Sequence, residues 1–269
     1  MKVEERSFNT PISPYDIRDY HLSGVADDFP VSFELEKVSI KNQGRESSCV
    51  AHAASTVVEY FNFIQQKTDT VFSTEFIYGY RPDDYYIGDG MYVRDALKTL
   101  QKIGVPPLEK LRGNHSYEKA MKIVEDKLDE LKEAAYPNRI STYIHLTSNE
   151  EIKQALQQYG YVLASMPWHK DYKLKKGVYT FDANKKSGNH AVVIYGWDEK
   201  GWLVQNSWGS IWGQKGCFIV PFDFTWNETW AVTDTIINAN DVIIPEENWF
   251  IKVFGKIINF FANLFRKNK

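Results

Sequence analysis

The hydrophobic period of this chain changes once, and that change limits the folds open to it. From Ser48 onward, Val50, Ala53, Ala54, Val57, Val58, Phe61 and Ile64 recur at three- and four-residue spacing, which gives one apolar helix face. A second helix is predicted over Val93–Lys102, stopped by Gly104, a residue suited to a left-handed C-cap. A third is predicted over Tyr117–Ala135, with Met121, Val124, Leu128 and Leu131 inward and Pro137 ending it. A fourth opens at the capping box Ser148-Asn149-Glu150-Glu151 and ends at Gly160. Beyond it the texture is different. Tyr161–Met166, Gly177–Phe181, His190–Gly196, Gly201–Ser207 and Cys217–Phe222 are short, β-rich runs, and Asp198-Glu199-Lys200-Gly201 reads as a hairpin turn. Helices followed by strands predict an α+β protein with two lobes. Residues 1–40 lack a period and are expected to form an extended arm. The expected units are therefore the arm at 1–40, a helical lobe at 41–140, a β lobe at 141–245 and a separate tail at 246–269.

Composition narrows the function classes. With 43% hydrophobic residues, 16 Tyr, 16 Phe and 8 Trp in 269 positions, the chain has enough apolar mass for a packed core. A net charge of −3 gives no electrostatic footprint for nucleic acid. The two cysteines, Cys49 and Cys217, fit a reducing compartment better than a disulfide scaffold. No apolar run follows the polar N-terminus, as a signal peptide would require, and no stretch is long enough to span a bilayer. A cytoplasmic location is the expectation, in which the sequons at Asn114 and Asn227 would go unused. His21, His115, His145 and His169 show no metal-ligand spacing. Neither an HExxH, a CxxC nor a phosphate-binding glycine loop occurs, so no metal and no cofactor is expected.

Three short segments carry candidate chemistry: Gln43-Gly44-Arg45-Glu46-Ser47-Ser48-Cys49, Gly188-Asn189-His190-Ala191-Val192 and Gln205-Asn206-Ser207-Trp208-Gly209. A thiol with a pKa near 8.5 is only a few per cent thiolate at neutral pH. Cys49 opens a predicted helix, where unpaired N–H groups and the helix dipole favour an anion. A histidine in contact can take the thiol proton, and a side-chain amide such as Asn206 can fix that histidine's tautomer. The Cys49 N–H and the Gln43 amide could stabilise an oxyanion. Each residue also has a plain structural reading. Cys49 and Cys217 can be small buried apolar residues, His190 a strand residue satisfied by backbone, and Asn206-Ser207 a turn. His52 is a rival base, but at i+3 it points along the helix. Trp212, Trp226 and Trp230 read as core.

Taken together, these segments resemble the papain-like cysteine peptidases. His190 lies about 140 residues after Cys49 and Asn206 about 160, against about 130–150 in the family signature. The resemblance runs from about Phe29 to Trp230. It implies Cys49 as nucleophile, His190 as base, Asn206 as its orienting residue and Gln43 as oxyanion donor. Trp208, followed by Trp212-Gly213, corresponds to the tryptophan that shields the His–Asn contact. Asp89-Gly90-Met91, followed by Ala96-Leu97 and Gly104-Val105, resembles the strip that carries substrate backbone and the helix behind it. Gly90, Met91, Asn189, Ala191 and Trp208 are thereby the expected substrate-binding residues. The implied fold is a helical left lobe and a β-barrel right lobe with the cleft between them.

The chain departs from the family at several points. Glu46 stands where the family has a disulfide-bonded cysteine, Ser47 replaces a glycine, Val50 replaces a tryptophan, and Met91 replaces a second glycine. Only about 40 residues precede Gln43, so synthesis without a conventional zymogen is the expectation. The implied activity is hydrolysis of peptide bonds, as an endopeptidase, through a thioester acyl-enzyme. Two alternatives stay open. One is a ligase or transamidase that shares the acyl-enzyme; the other is a catalytically silent module on the same fold. The tail beyond Trp249 lies outside the resemblance. Phe250, Val253, Phe254, Ile257, Ile258, Phe261, Leu264 and Phe265 give it an apolar helical face, and Lys252, Lys256, Arg266, Lys267 and Lys269 are unopposed by any acid. Such an element suits either packing on the acidic body, self-association, or docking on a membrane surface.

Overall fold

The computed structural model describes residues 9–81, 88–234 and 242–243. Five helices precede the main run of strands: α1 (Cys49–Gln66), α2 (Thr74–Gly79), α3 (Val93–Lys102), α4 (Tyr117–Asp126) and α5 (Leu128–Ala135). Helix α1 is the centre of this half. Its first three turns are buried all round, whereas Phe61 is half-buried and Ile64 exposed. Helix α3 has the predicted bounds, and Gly104 follows it at φ +91°, its N–H bonded to the Thr99 carbonyl at 3.0 Å. The third predicted helix is two. The chain breaks at Lys127, which leaves helical geometry at φ −125°. Helix α2, too short to show a period, was not legible in the sequence.

A mixed sheet forms the other half. Its strands are β1 (Tyr20–Leu22), β2 (Phe33–Glu34), β3 (Thr142–Leu146), β4 (Val162–His169), β5 (Lys173–Lys175), β6 (Val178–Thr180), β7 (Lys186–Asp198), β8 (Gly201–Gln205), β9 (Cys217–Val220), β10 (Glu228–Thr233) and β11 (Val242–Ile243). Helix α6 (Asn149–Gln158) follows β3, with the Ser148 hydroxyl accepting from the Glu151 N–H at 3.1 Å as its cap requires. The hydrogen-bonded order is β11-β1-β3-β10-β4-β7-β8-β9-β6-β5, with β2 added on β7. The β1–β3 and β6–β9 pairs are parallel and the rest antiparallel. The predicted β7–β8 turn is present: Asp198 pairs with Gly201, and the Asp198 carboxylate accepts from the Lys200 N–H.

Strand β7 joins the halves because both its faces are buried. Ala191, Val193 and Tyr195 pack with Cys49, Val50 and Ala53 of α1. Val192 and Ile194 pack with Val162, Ala164, Met166 and Trp202 inside the sheet half. Two-sided burial explains why this strand reads as a continuous apolar run. The N-terminal arm is not wholly irregular: β1 sits between β3 and β11 in the sheet, and β2 caps β7. Cys49 and Cys217 are both free thiols. The tail, including the predicted apolar face from Phe250 to Phe265, lies outside the described residues.

Candidate active site

Cys49 is the first residue of α1, and Ser48 before it makes no side-chain cap, so the thiol sits at uncapped backbone N–H groups. Strand β7, which carries His190, packs the neighbouring Ala191 with Cys49. The backbone N–H groups of Ala191, Val50 and Cys49 itself pull the thiol pKa downward. On the other side of β7, His190 Nε2 meets Asn206 Oδ1 at 2.8 Å. The same oxygen accepts from the Ser207 N–H at 2.8 Å. A backbone N–H can only donate, so the Asn206 atom facing it is the acceptor oxygen, and His190 Nε2 must carry a proton. In the neutral ring the lone pair is therefore on Nδ1.

Gln43 is fixed by the same reasoning. Its Oε1 accepts from Ser207 Oγ at 2.7 Å and from Trp208 Nε1 at 3.2 Å, and an indole N–H can only donate. Nε2 is therefore the end that points toward the Cys49 loop, where it donates to the Glu46 carbonyl at 2.8 Å. The Gln43 N–H bonds the Ser207 carbonyl, and the Gly209 N–H bonds the Lys41 carbonyl, so residues 41–43 are laced to 207–209. Trp208 lies over His190 with ring centroids 5.0 Å apart, and Trp168 meets both rings edge-on. These indoles keep water from the Asn206–His190 contact.

The arm covers this constellation. Thr10 Oγ1 lies 3.0 Å from Cys49 Sγ. The Asn9 carbonyl rests on Gly90, where an added Cβ would come within 1.7 Å of that oxygen. Further along, the Ser13 N–H donates to Glu228 at 3.2 Å, Ser13 Oγ accepts from the Arg94 N–H, and the Pro14 carbonyl accepts from the Arg94 guanidinium. Asp19 pairs with Arg94 through both carboxylate oxygens. Cys49 and His190 are consequently fully buried. Burial pushes the Cys49 thiol above its usual range, against the lowering pull of Thr10 and the backbone N–H groups. A covered thiol is a neutral one.

The sequence-predicted residues thus converge, with differences in detail. Ala191 packs in the cluster that holds Cys49. Met91 is fully buried in the cluster that holds Cys49, and Trp208 faces His190 and Gln43 and is almost wholly buried. Asn189 is half-buried, opposite Pro167 across β4. His52 is directed back to the Ser48 carbonyl at 2.9 Å, and burial lowers its pKa to about 4. Glu46 is held above the usual carboxylate range by burial and by the charges of Asp89, Glu75 and Glu118. Thr10, Ser13, Asp19, Arg94 and Glu228 were not foreseen. They act through single polar contacts that leave no periodic trace. Among the described residues, no group of His, Cys, Asp and Glu is arranged to hold a metal ion.

Known proteins share the sequence pattern and the fold. A profile of the papain family cysteine proteases matches residues 30–228. An uncharacterised peptidase C1-like protein of Acanthamoeba polyphaga mimivirus is 27% identical over 257 residues, covering 78% of this chain and 77% of that protein. A cathepsin B-like cysteine proteinase of Caenorhabditis elegans is 45% identical over 73 residues, which is only 20% of its length. Among solved structures, xylellain, a cysteine protease from Xylella fastidiosa, superposes with a TM-score of 0.75 at 19% identity, covering 86% of this chain and 97% of that one. Bromelain from Ananas comosus superposes at 0.62 and 19% identity, over 77% of this chain. With the profile spanning Cys49, His190 and Asn206, and the fold shared with solved cysteine proteases, the chain belongs to the papain family of cysteine proteases.

Proposed function

We propose that the protein is a cysteine endopeptidase that cleaves peptide bonds through a thioester. The observation that carries this reading is the fixed Asn206–His190 pair, its histidine on the strand that packs with the helix-opening cysteine, with the base's proton-bearing nitrogen defined by Asn206. In the open enzyme, Nδ1 of His190 takes the Cys49 proton. The thiolate adds to the scissile carbonyl, and the oxyanion is met by the Cys49 N–H and by the second amide hydrogen of Gln43. The imidazolium then protonates the leaving amine as the C–N bond breaks and the thioester forms. Water, deprotonated by His190, attacks the thioester and releases the acid and the thiol. Gly90 carries the peptide backbone, with Met91, Asn189, Ala191 and Trp208 around the reacting bond.

The test is turnover of a fluorogenic peptide library, with mass analysis of products in the presence of an added amine. Hydrolysis products that vanish in Cys49→Ala and His190→Ala support the reading. Products joined to the amine would instead make the protein a transamidase. A folded wild-type chain that neither turns over peptides nor forms an adduct with a peptidyl epoxide would make it a silent module.

A further inference from the structure

The strip Gly88-Asp89-Gly90 is held from behind by two side chains that the catalytic reading does not use. Tyr78, in α2, donates its hydroxyl to the Asp89 carbonyl. Arg81, just past α2, donates Nη1 to the Gly88 carbonyl at 2.5 Å and to the Gly90 carbonyl. Three consecutive carbonyls are thereby taken by one short segment. The Arg81 guanidinium is seated 3.4 Å from the centroid of the Tyr117 ring, and Tyr117 meets Tyr78 edge-on at 5.7 Å. Both Tyr78 and Arg81 are buried. Burial holds the Tyr78 hydroxyl well above its ordinary pKa, so it remains a neutral donor. A guanidinium is costly to bury, and here it is compensated by carbonyl oxygens and a π face.

What rests on this strip is a peptide backbone. The Asn9 carbonyl lies against Gly90, in a contact that no side chain at position 90 would permit. The strip also adjoins the nucleophile: the Asn9 carbonyl rests on Gly90, and the next residue, Thr10, lies with its hydroxyl 3.0 Å from Cys49 Sγ. The sequence resemblance has a disulfide-bonded cysteine at position 46, next to this region, whereas this chain has Glu46 and two free cysteines. Some other restraint must keep the strip in place.

We propose that Arg81 and Tyr78 are positioning residues: from behind the strip they fix Gly90 at the height where a substrate backbone can lie beside Cys49. This inference rests on the peptidase reading. Their effect reaches only substrates long enough to lie on the strip. A single-residue nitrophenyl ester can acylate Cys49 without touching it. The arm, which covers Cys49, hinders both kinds of substrate alike, so the ratio of their kcat/KM values is independent of how often the arm opens.

The experiment measures kcat and KM of the full chain for a tetrapeptide amide, with all four residues on the acyl side, and for the single-residue ester. In Arg81→Met the ratio of kcat/KM, peptide over ester, should fall about tenfold or more, chiefly through a higher KM for the peptide. Arg81→Lys should recover part of it, and Tyr78→Phe should lower the ratio about threefold. An unchanged ratio in folded Arg81→Met, or equal losses on both substrates, overturns the proposal. If Arg81→Met does not fold, unchanged ratios in Arg81→Lys and Tyr78→Phe do the same. Wild-type protein that turns over neither substrate would overturn the peptidase reading itself, and the positioning role with it.

Discussion

Replacing Asp19 with asparagine should uncover Cys49 without altering any residue of the catalytic constellation. The arm reaches the thiol through Thr10, but its strongest anchor is nine residues on, where both carboxylate oxygens of Asp19 meet the Arg94 guanidinium. Both side chains are 7% exposed, so the pair is nearly dry. Removing one partner of a buried ion pair costs about 3–5 kcal/mol when the other charge stays buried. Two features reduce that figure here. Asparagine keeps one acceptor for the guanidinium, and Arg94 gains water when the arm lifts. A loss of about 2 kcal/mol of closure remains, which at about 1.4 kcal/mol per decade is roughly a thirtyfold rise in the open fraction. The assay is the rate of iodoacetamide alkylation at Cys49 in the full chain, followed by peptide mass mapping with Cys217 as internal reference. Alkylation about thirtyfold faster at Cys49, with no change at Cys217, is expected. An Asp19→Asn protein with a native melting temperature and wild-type alkylation at Cys49 would refute the reasoning, and would move the control of access to Thr10 and Ser13 alone.

Three further outcomes follow from the same structure. Gln43→Ala should lower kcat by about a hundredfold or more by removing an oxyanion donor, and steady-state kinetics with unchanged KM would check it. His52 is buried with its pKa lowered to about 4, so the unfolded chain binds a proton near pH 6.5 that the native chain refuses. Stability from this site is complete above about pH 6.5 and is lost as pH falls toward about 4, by up to about 3 kcal/mol. His52→Gln should flatten that acid limb in denaturant titrations, and an unchanged limb would assign it elsewhere. A chain ending at Glu247 should differ from the full chain in flotation with anionic vesicles if the basic tail docks on membranes; equal flotation with a lower melting temperature would make the tail structural.

Much of the scaffold was legible because it is written in periods and caps. Helix α3 and Gly104, the Ser148 cap of α6 and the Asp198–Gly201 turn all appear where local chemistry demands them. The break at Lys127 was invisible for a physical reason. Ala120, Val124, Leu131 and Ala135 are buried on one stripe, and Leu128 continues it across the break, so the apolar spacing is the same for one helix or two. The four catalytic candidates were legible as residue types in order. Their atomic roles were not, since the tautomer of His190 and the direction of the Gln43 amide depend on donors from Ser207 and Trp208. The arm was the least legible element. It adheres through backbone atoms and single side chains, such as Ser13 on Glu228, and those contacts impose no pattern on the sequence.

That dependence on Ser207 and Trp208 ties the two halves of the chemistry together. On the proposed peptidase reading, consecutive residues serve both oxyanion stabilisation and base orientation. Asn206 holds His190; the Ser207 N–H fixes Asn206 while its hydroxyl fixes Gln43; Trp208 covers His190 with its ring and holds Gln43 with its indole N–H. The Gln43 backbone then returns a hydrogen bond to the Ser207 carbonyl, and the Gly209 N–H closes the lace at Lys41. Gln43 lies only a few residues before Cys49, so the nucleophile's loop and the base's loop are registered against each other through this lace. A side-chain amide placed by three hydrogen bonds has little freedom left to lose when charge develops on the substrate, and such preorganisation is the physical source of oxyanion stabilisation. On that reading the buried Asn206–Ser207–Trp208 segment sets the geometry of the whole site, although none of its three side chains exchanges a proton with the substrate.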